Sequence, residues 1–153
     1  MNRLHLMSTR GAAIAVLLGA GTLSAQRTAD RGAFLMRLGV DTIAIERFER
    51  TGDTIQGTIS VTGQPRLVYV AVLGPAFSVG SLSLNVFREM AADSAPLQRI
   101  GIAMRDDSVF ADINGMPRRF ATRPGAAPLL NNSFALAEVL TRHARAVGDS
   151  ADL

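Results

Sequence analysis

The chain contains no cysteine. Disulfides, thiolate nucleophiles and thiolate metal sites are therefore excluded, and the lipid anchor of bacterial lipoproteins, which needs a cysteine just after the export signal, is not expected. Lysine is absent too, so all 16 basic residues are arginine. Beside abundant Ala and Gly this reads as a base-composition bias and not as a functional choice. Histidine is scarce, with His5 and His143 the only two. Gly-rich phosphate loops, dinucleotide fingerprints and zinc spacings do not occur, so the sequence implies no cofactor.

What is present begins with the features of an export signal. Arg3, His5 and Arg10 make a basic start, residues 11–22 form a short uncharged apolar run, and Leu23-Ser24-Ala25 ends on a small residue suited to cleavage before Gln26. A membrane span needs about 20 apolar residues, more than this run supplies. We therefore expect a cleavable signal over 1–25 and a mature protein in the periplasm or outside the cell, with no stable membrane span. Arg3 and Arg10 leave with the signal and no acid does, so 16 basic residues against 13 acids become 14 against 13. That near-balance lacks the concentrated basic field that nucleic-acid binding requires, and no nucleic-acid partner is expected. Arg118-Arg119 with Arg123 is the one local basic group, read as a solvated strand face. The remaining length, about 128 residues, is enough for one domain with its own core. The expected layout is a flexible N-terminus over 26–32, a single β-rich domain over 33–148 and a tail over 149–153.

Along the domain the hydrophobic period is two. Phe34, Met36 and Leu38 alternate with Leu35 and Arg37 before a turn at Gly39-Val40-Asp41, and 42–48 follows with Ile43 and Ile45 on one face. After Thr51-Gly52-Asp53 comes the clearest strand, with Ile55, Gly57, Ile59 and Val61 facing one way and Gln56, Thr58, Ser60 and Thr62 the other. Such alternation suits an antiparallel sheet with one wet face. Residues 67–73 are apolar on both faces, which predicts a central strand covered on both sides. Gly74-Pro75 breaks it. Residues 78–88 alternate again, with Leu82, Leu84 and Val86 opposite Ser81, Ser83 and Asn85, and 89–96 reads as a longer loop. In 97–105, Ile100, Ile102 and Met104 share a face; Asp106-Asp107 turns into 108–113, and Asn114-Gly115 marks a two-residue hairpin leading to 116–122. Pro117 sits early in that last strand and marks it as an edge.

After the loop RPGAAPLL the period changes. Asn131 or Asn132 is placed to cap a helix over 132–147, with Gly148 as its stop. Leu136, Val139, Leu140, His143 and Val147 share one face, so the helix should dock on the sheet. The expected architecture is α+β and mainly β: an antiparallel meander of about eight strands, curved or partly barrel-like, with one C-terminal amphipathic helix.

The residues with chemical potential are few. His143 has no catalytic partner that sequence can name, and its place on the apolar side of the helix makes it a residue of the core's margin. Ala76-Phe77-Ser78-Val79-Gly80 approaches the serine-elbow pattern, but its first glycine is Ala and a strand follows where a helix is required. Asp106, Asp107 and Asp112 with Asn114 are the densest acidic group; calcium needs six or more oxygens from a shaped loop, and a pair of strand turns accounts for them better. Glu46 and Glu49 lie three apart on a strand and so point to opposite faces, which rules them out as a carboxylate pair. No catalytic, cofactor-binding or metal-binding residue is assigned.

The run 34–73, FLMRLGVDTIAIERFERTGDTIQGTISVTGQPRLVYVAVL, resembles the N-terminal meander of exported bacterial β-rich proteins of uncharacterised function. More loosely it is similar to the half-barrel lipoprotein-carrier proteins, and that resemblance implies an open curved sheet wrapped round a helix over an apolar cavity. It carries over no site residue, and a chain ending soon after the helix would be a short or truncated member. Three functions compete. The first is a non-catalytic module that binds an apolar small molecule, lipid or partner segment. The second is a hydrolase accessory domain or fragment, against which stands the lack of a nucleophile–base group. The third is a structural domain that meets a second copy or a partner chain through an exposed sheet edge.

Overall fold

Each strand in the chain pairs with the next, and this local rule generates the whole sheet. The computed structural model describes residues 29–88 and 95–148. The expected signal and tail, and most of the expected loop over 89–96, lie outside the described residues. The strands are β1 (Asp30–Leu38), β2 (Asp41–Thr51), β3 (Thr54–Val61), β4 (Arg66–Leu73), β5 (Val79–Phe87), β6 (Gln98–Arg105), β7 (Ser108–Ile113) and β8 (Met116–Ala121). They form one antiparallel sheet whose spatial order is the sequence order, and β1 and β8 do not meet, so the sheet stays open. The β7–β8 turn shows why the hairpins form where they do. Asn114 (φ 54°) and Gly115 (φ 83°) both adopt the left-handed conformation that a tight primed turn needs. Strand β1 begins inside the segment expected to be flexible, because Arg31 reaches Glu49 across the β1–β2 pair at 3.1 Å.

The sheet has an inner face, which carries the helix, and an outer face. Ile55 and Ile59 are buried inward at 0% and 1% exposure, while Gln56 between them is exposed. Strand β2 takes its phase from this neighbour: Ala44 pairs with Val61 and Glu46 with Ile59. Ala44 and Glu46 therefore point inward, and Ile43 and Ile45 share the outer face.

The expectation for β4 is half corrected. It is central, but it is covered on one side only. Tyr69 and Ala71 are fully buried inward, whereas Val70 and Val72 on the other face are 36% and 45% exposed. The chain supplies one helix, and one helix covers one face. The outward valines are separated from other apolar rows by Gln56 and Thr58 of β3 and by Ser81, Ser83 and Asn85 of β5.

Helix α1 (Phe134–Val147) starts later than the Asn caps predict. Asn132 sits at φ 63°, outside helical geometry, and Ser133 is the cap, its Oγ accepting from the Leu136 N–H at 3.2 Å. Gly148 closes the helix in the left-handed conformation, as expected. Ala135, Leu136, Val139 and Leu140 are buried against Ile55, Ile59, Tyr69, Leu82 and Leu84, with Leu130 of the preceding loop. Each large apolar side chain so buried contributes on the order of 1.5–3 kcal/mol. Val147, expected on this face, is 53% exposed because the last turn runs past the packed region.

Candidate functional site

The deepest polar feature lies under the start of α1. Glu46 is 2% exposed, on a strand position that otherwise points into the core. Its Oε1 accepts from the Tyr69 hydroxyl and from Ser133 Oγ, both at 2.7 Å. Its Oε2 accepts from the backbone N–H of Phe134 at 2.7 Å and of Ala135 at 3.0 Å. The first backbone N–H groups of a helix have no partner within it, and their end of the helix favours negative charge. A carboxylate on β2 thus fills the role that a capping side chain plays locally, from a different element. Burial, and then the bond it donates to Glu46, pushes the Tyr69 hydroxyl well above its ordinary pKa, so it remains a proton donor. Tyr69 needs room to reach Glu46, and Gly57 provides it: a Cβ there would stand 2.6 Å from the ring.

Arg50 extends the same polar seam. Its Nη1 lies 3.7 Å from Asp30 and its Nη2 3.8 Å from Glu138 on α1, while Nε and Nη2 are buried without a hydrogen bond. Glu138 in turn pairs with Arg142 one turn along the helix. These contacts join β1, β2 and α1, with the Arg50 side chain mostly buried and its partners Asp30 and Glu138 reaching solvent.

The other end of the inner face is built differently. Register places Ile100, Ile102 and Met104 of β6 beside Ile113, Ala111 and Val109 of β7. Those three stand beside Met116, Arg118 and Phe120 of β8 in turn. The result is a three-by-three block on one face, apolar everywhere except at Arg118. Ile100 and Ile102 touch the core under α1, but the block opens toward β8, where Met116 and Phe120 are 56% and 54% exposed. Arg118 is exposed among them. The free edge of β8 is blunted. Pro117 faces Asp112 one pair beyond the turn's closing pair, where an N–H would point away from β7.

The residues singled out by sequence scatter. His143 Nδ1 lies 2.7 Å from the Ala76 carbonyl oxygen, which only accepts, so the ring donates there and ties α1 to the β4–β5 turn. That turn, Pro75–Phe77, lies between two strands, with Ala76 (φ 52°) and Phe77 (φ 62°) both left-handed. The acids serve turns: Asp112 Oδ1 accepts from the Gly115 N–H at 2.7 Å, and Asp107 Oδ1 from Ser108 Oγ at 2.9 Å. Glu46 and Glu49 do point to opposite faces. Arg118 and Arg119 do as well, which corrects their reading as one solvated face. Arg119 bonds Ser108 Oγ through Nη2 at 2.9 Å and lies over the Phe110 ring on the outer side. Among the described residues, no group of three or more His, Asp or Glu side chains is placed to hold a metal, and no helix is long and apolar enough to cross a membrane.

Sequence reasoning missed both the Glu46 anchor and the open block. The anchor had a signal: an acid at an inward strand position must find partners, and the chain's single tyrosine lies in its most apolar strand. The block had none, because it depends on how far α1 reaches across the sheet. Comparison with known protein families, with curated proteins and with solved structures gives no match to this chain.

Proposed function

We propose that this domain is a non-catalytic binding module that acts after export, in the periplasm or outside the cell, and holds an apolar partner on the inner face of β6–β8. The observation that carries the reading is the unequal cover of one face. Helix α1 buries the inner side of β2–β5, and the same apolar surface continues to β8, where Met116 and Phe120 stand more than half exposed. Contiguous apolar surface of this kind on a soluble domain marks an interaction site, whereas single exposed apolar residues do not. The outer face is a weaker candidate. Its apolar residues are interleaved with polar rows, and a depression of about 320 Å³ beside Gly57 is lined by Arg47, Gln56 and Thr58 as well as Val68 and Val70.

The test is binding of an environment-sensitive apolar dye to the purified domain, with its size in solution measured in parallel. The wild type is expected to bind the dye, and Phe120→Asp to lose that binding while keeping its fold. A compact monomer that binds neither dye nor lipid extract would leave only a structural domain.

A further inference from the structure

The β6 row of the block already borders the core under α1, and its open part is the strip carried by β7 and β8. A helix laid beside α1 would rest on that strip, one to two interstrand spacings or about 5–10 Å wide, and six residues of strand run about 20 Å. An α-helix is about 10–12 Å across, and four turns of it are about 22 Å long. Met116 and Phe120 stand more than half exposed there, whereas pockets for small molecules enclose most of their ligand. A rigid apolar rod covers such a strip better than a small amphiphile does.

The same sheet already shows how it receives a helix. Ala135, Leu136, Val139 and Leu140 of α1 lie on the inner face, and Glu138 on the helix flank approaches Arg50 of β2 to 3.8 Å. The open block repeats both parts of that arrangement: an apolar floor, and one inward arginine, Arg118, on the outermost strand. The inward positions of β6, β7 and β8 carry no acid, and no ion pair joins Arg118 to a described residue.

Building on the binding-module reading, we infer that the occupant of β6–β8 is an amphipathic helix of another polypeptide, with an apolar stripe on the sheet and a carboxylate beside the stripe meeting Arg118. The helix lies next to α1 and completes a two-helix layer on the inner face. Arg118 selects the partner, and Met116 and Phe120 supply the contact.

The test uses the full domain and two labelled synthetic peptides of about 18 residues, some five helical turns. They share one Leu/Ala stripe, flanked by Glu in one and by Lys in the other, and fluorescence anisotropy reads binding. The Glu peptide is expected to bind about tenfold or more tightly than the Lys peptide, since an unlike charge pair and a like one differ by at least that much at a partly desolvated contact. Arg118→Glu is expected to reverse the preference and Phe120→Asp to abolish both; all of these positions are exposed, so circular dichroism should match the wild type. Equal binding of the two peptides, or a preference unmoved by Arg118→Glu, would overturn the inference. Failure of both peptides alongside Phe120-dependent binding of phosphatidylcholine vesicles or dye would overturn it too, yet leave the binding-module reading standing. A wild-type dimer that Phe120→Asp dissociates would replace the helix with a second copy. Absence of all binding would remove both.

Discussion

The two halves of the inner face are made of the same material and end in opposite states. Under α1, alternation in β3, β4 and β5 supplies Ile55, Ile59, Ala71, Leu82 and Leu84, and every one is buried. From β6 to β8 the alternation continues, but the row runs out from under the helix until Phe120 is 54% exposed. Side-chain hydrophobicity does not separate the halves. A polar anchor does: Glu46 fixes the N-terminus of α1 over β2–β4, and the single helix cannot then reach β8. The lesson is that one buried carboxylate helps decide which apolar surface becomes core and which stays open to solvent.

The largest effect expected is at Ile59. Ile59→Asp places an unpaired charge in the covered half and should unfold the domain, whereas Thr58→Asp, one residue along and on the outer face, should be tolerated. Equal melting temperatures for the two variants would mean that the inner and outer faces are wrongly assigned. Next comes Glu46→Ala, which strands the Tyr69 and Ser133 hydroxyls and two backbone N–H groups. A loss of about 3–5 kcal/mol in urea unfolding is expected, as for a broken buried charge network. A loss below about 1 kcal/mol would show that apolar packing alone positions the helix.

A smaller effect concerns alkaline pH. The Tyr69 hydroxyl is held above its ordinary pKa in the folded protein, by burial first and by Glu46 second. Its contribution to stability is therefore complete below about pH 10, where an unfolded tyrosine keeps its proton, and is lost progressively as pH rises beyond that. The chain has one tyrosine and no lysine or cysteine, so nothing else of the ordinary set titrates there. Thermal melts from pH 9 to pH 11, about one unit either side of the unfolded tyrosine, should show a decline that Tyr69→Phe removes. Absorbance of the phenolate should appear only as the domain unfolds. The smallest effect is at the open half: Phe120→Ala should change stability by less than about 1 kcal/mol, since a side chain that stays half exposed has little burial to lose. A loss as large as that of Leu136→Ala, about 2–5 kcal/mol, would mean that β8 belongs to the core.

Much of this fold is legible in the sequence because its determinants are local. Period-two alternation and turns such as Asn114-Gly115 act over a few residues, and a meander needs nothing longer. Two of the readings that failed depended on distance, and a third on overlooking the alternation itself. Strand 67–73 looked doubly covered because composition reports what a strand tolerates, not how many helices lie nearby. The cap was assigned to Asn131 or Asn132 by residue preference, whereas Ser133 takes the position because its hydroxyl also reaches Glu46 at 2.7 Å. Arg118 and Arg119 looked like one patch because adjacency in sequence conceals that strand neighbours face apart.

The Glu46 anchor also orders events in time. Its partners Ser133, Phe134 and Ala135 lie 87, 88 and 89 residues further along the chain. Every hairpin can close as soon as its second strand is available, because each pairs only with its neighbour. The contact that seats the helix must instead wait for nearly the whole domain, because it closes a loop of 87 to 89 residues. Until then the inner face of β2–β5 is as bare as that of β8. In a chain made from its N-terminus, the residues that cover this face are therefore the last of the domain to become available. The anchor thus couples the burial of the inner face to the arrival of residues 133–135, at the far end of the domain from Glu46.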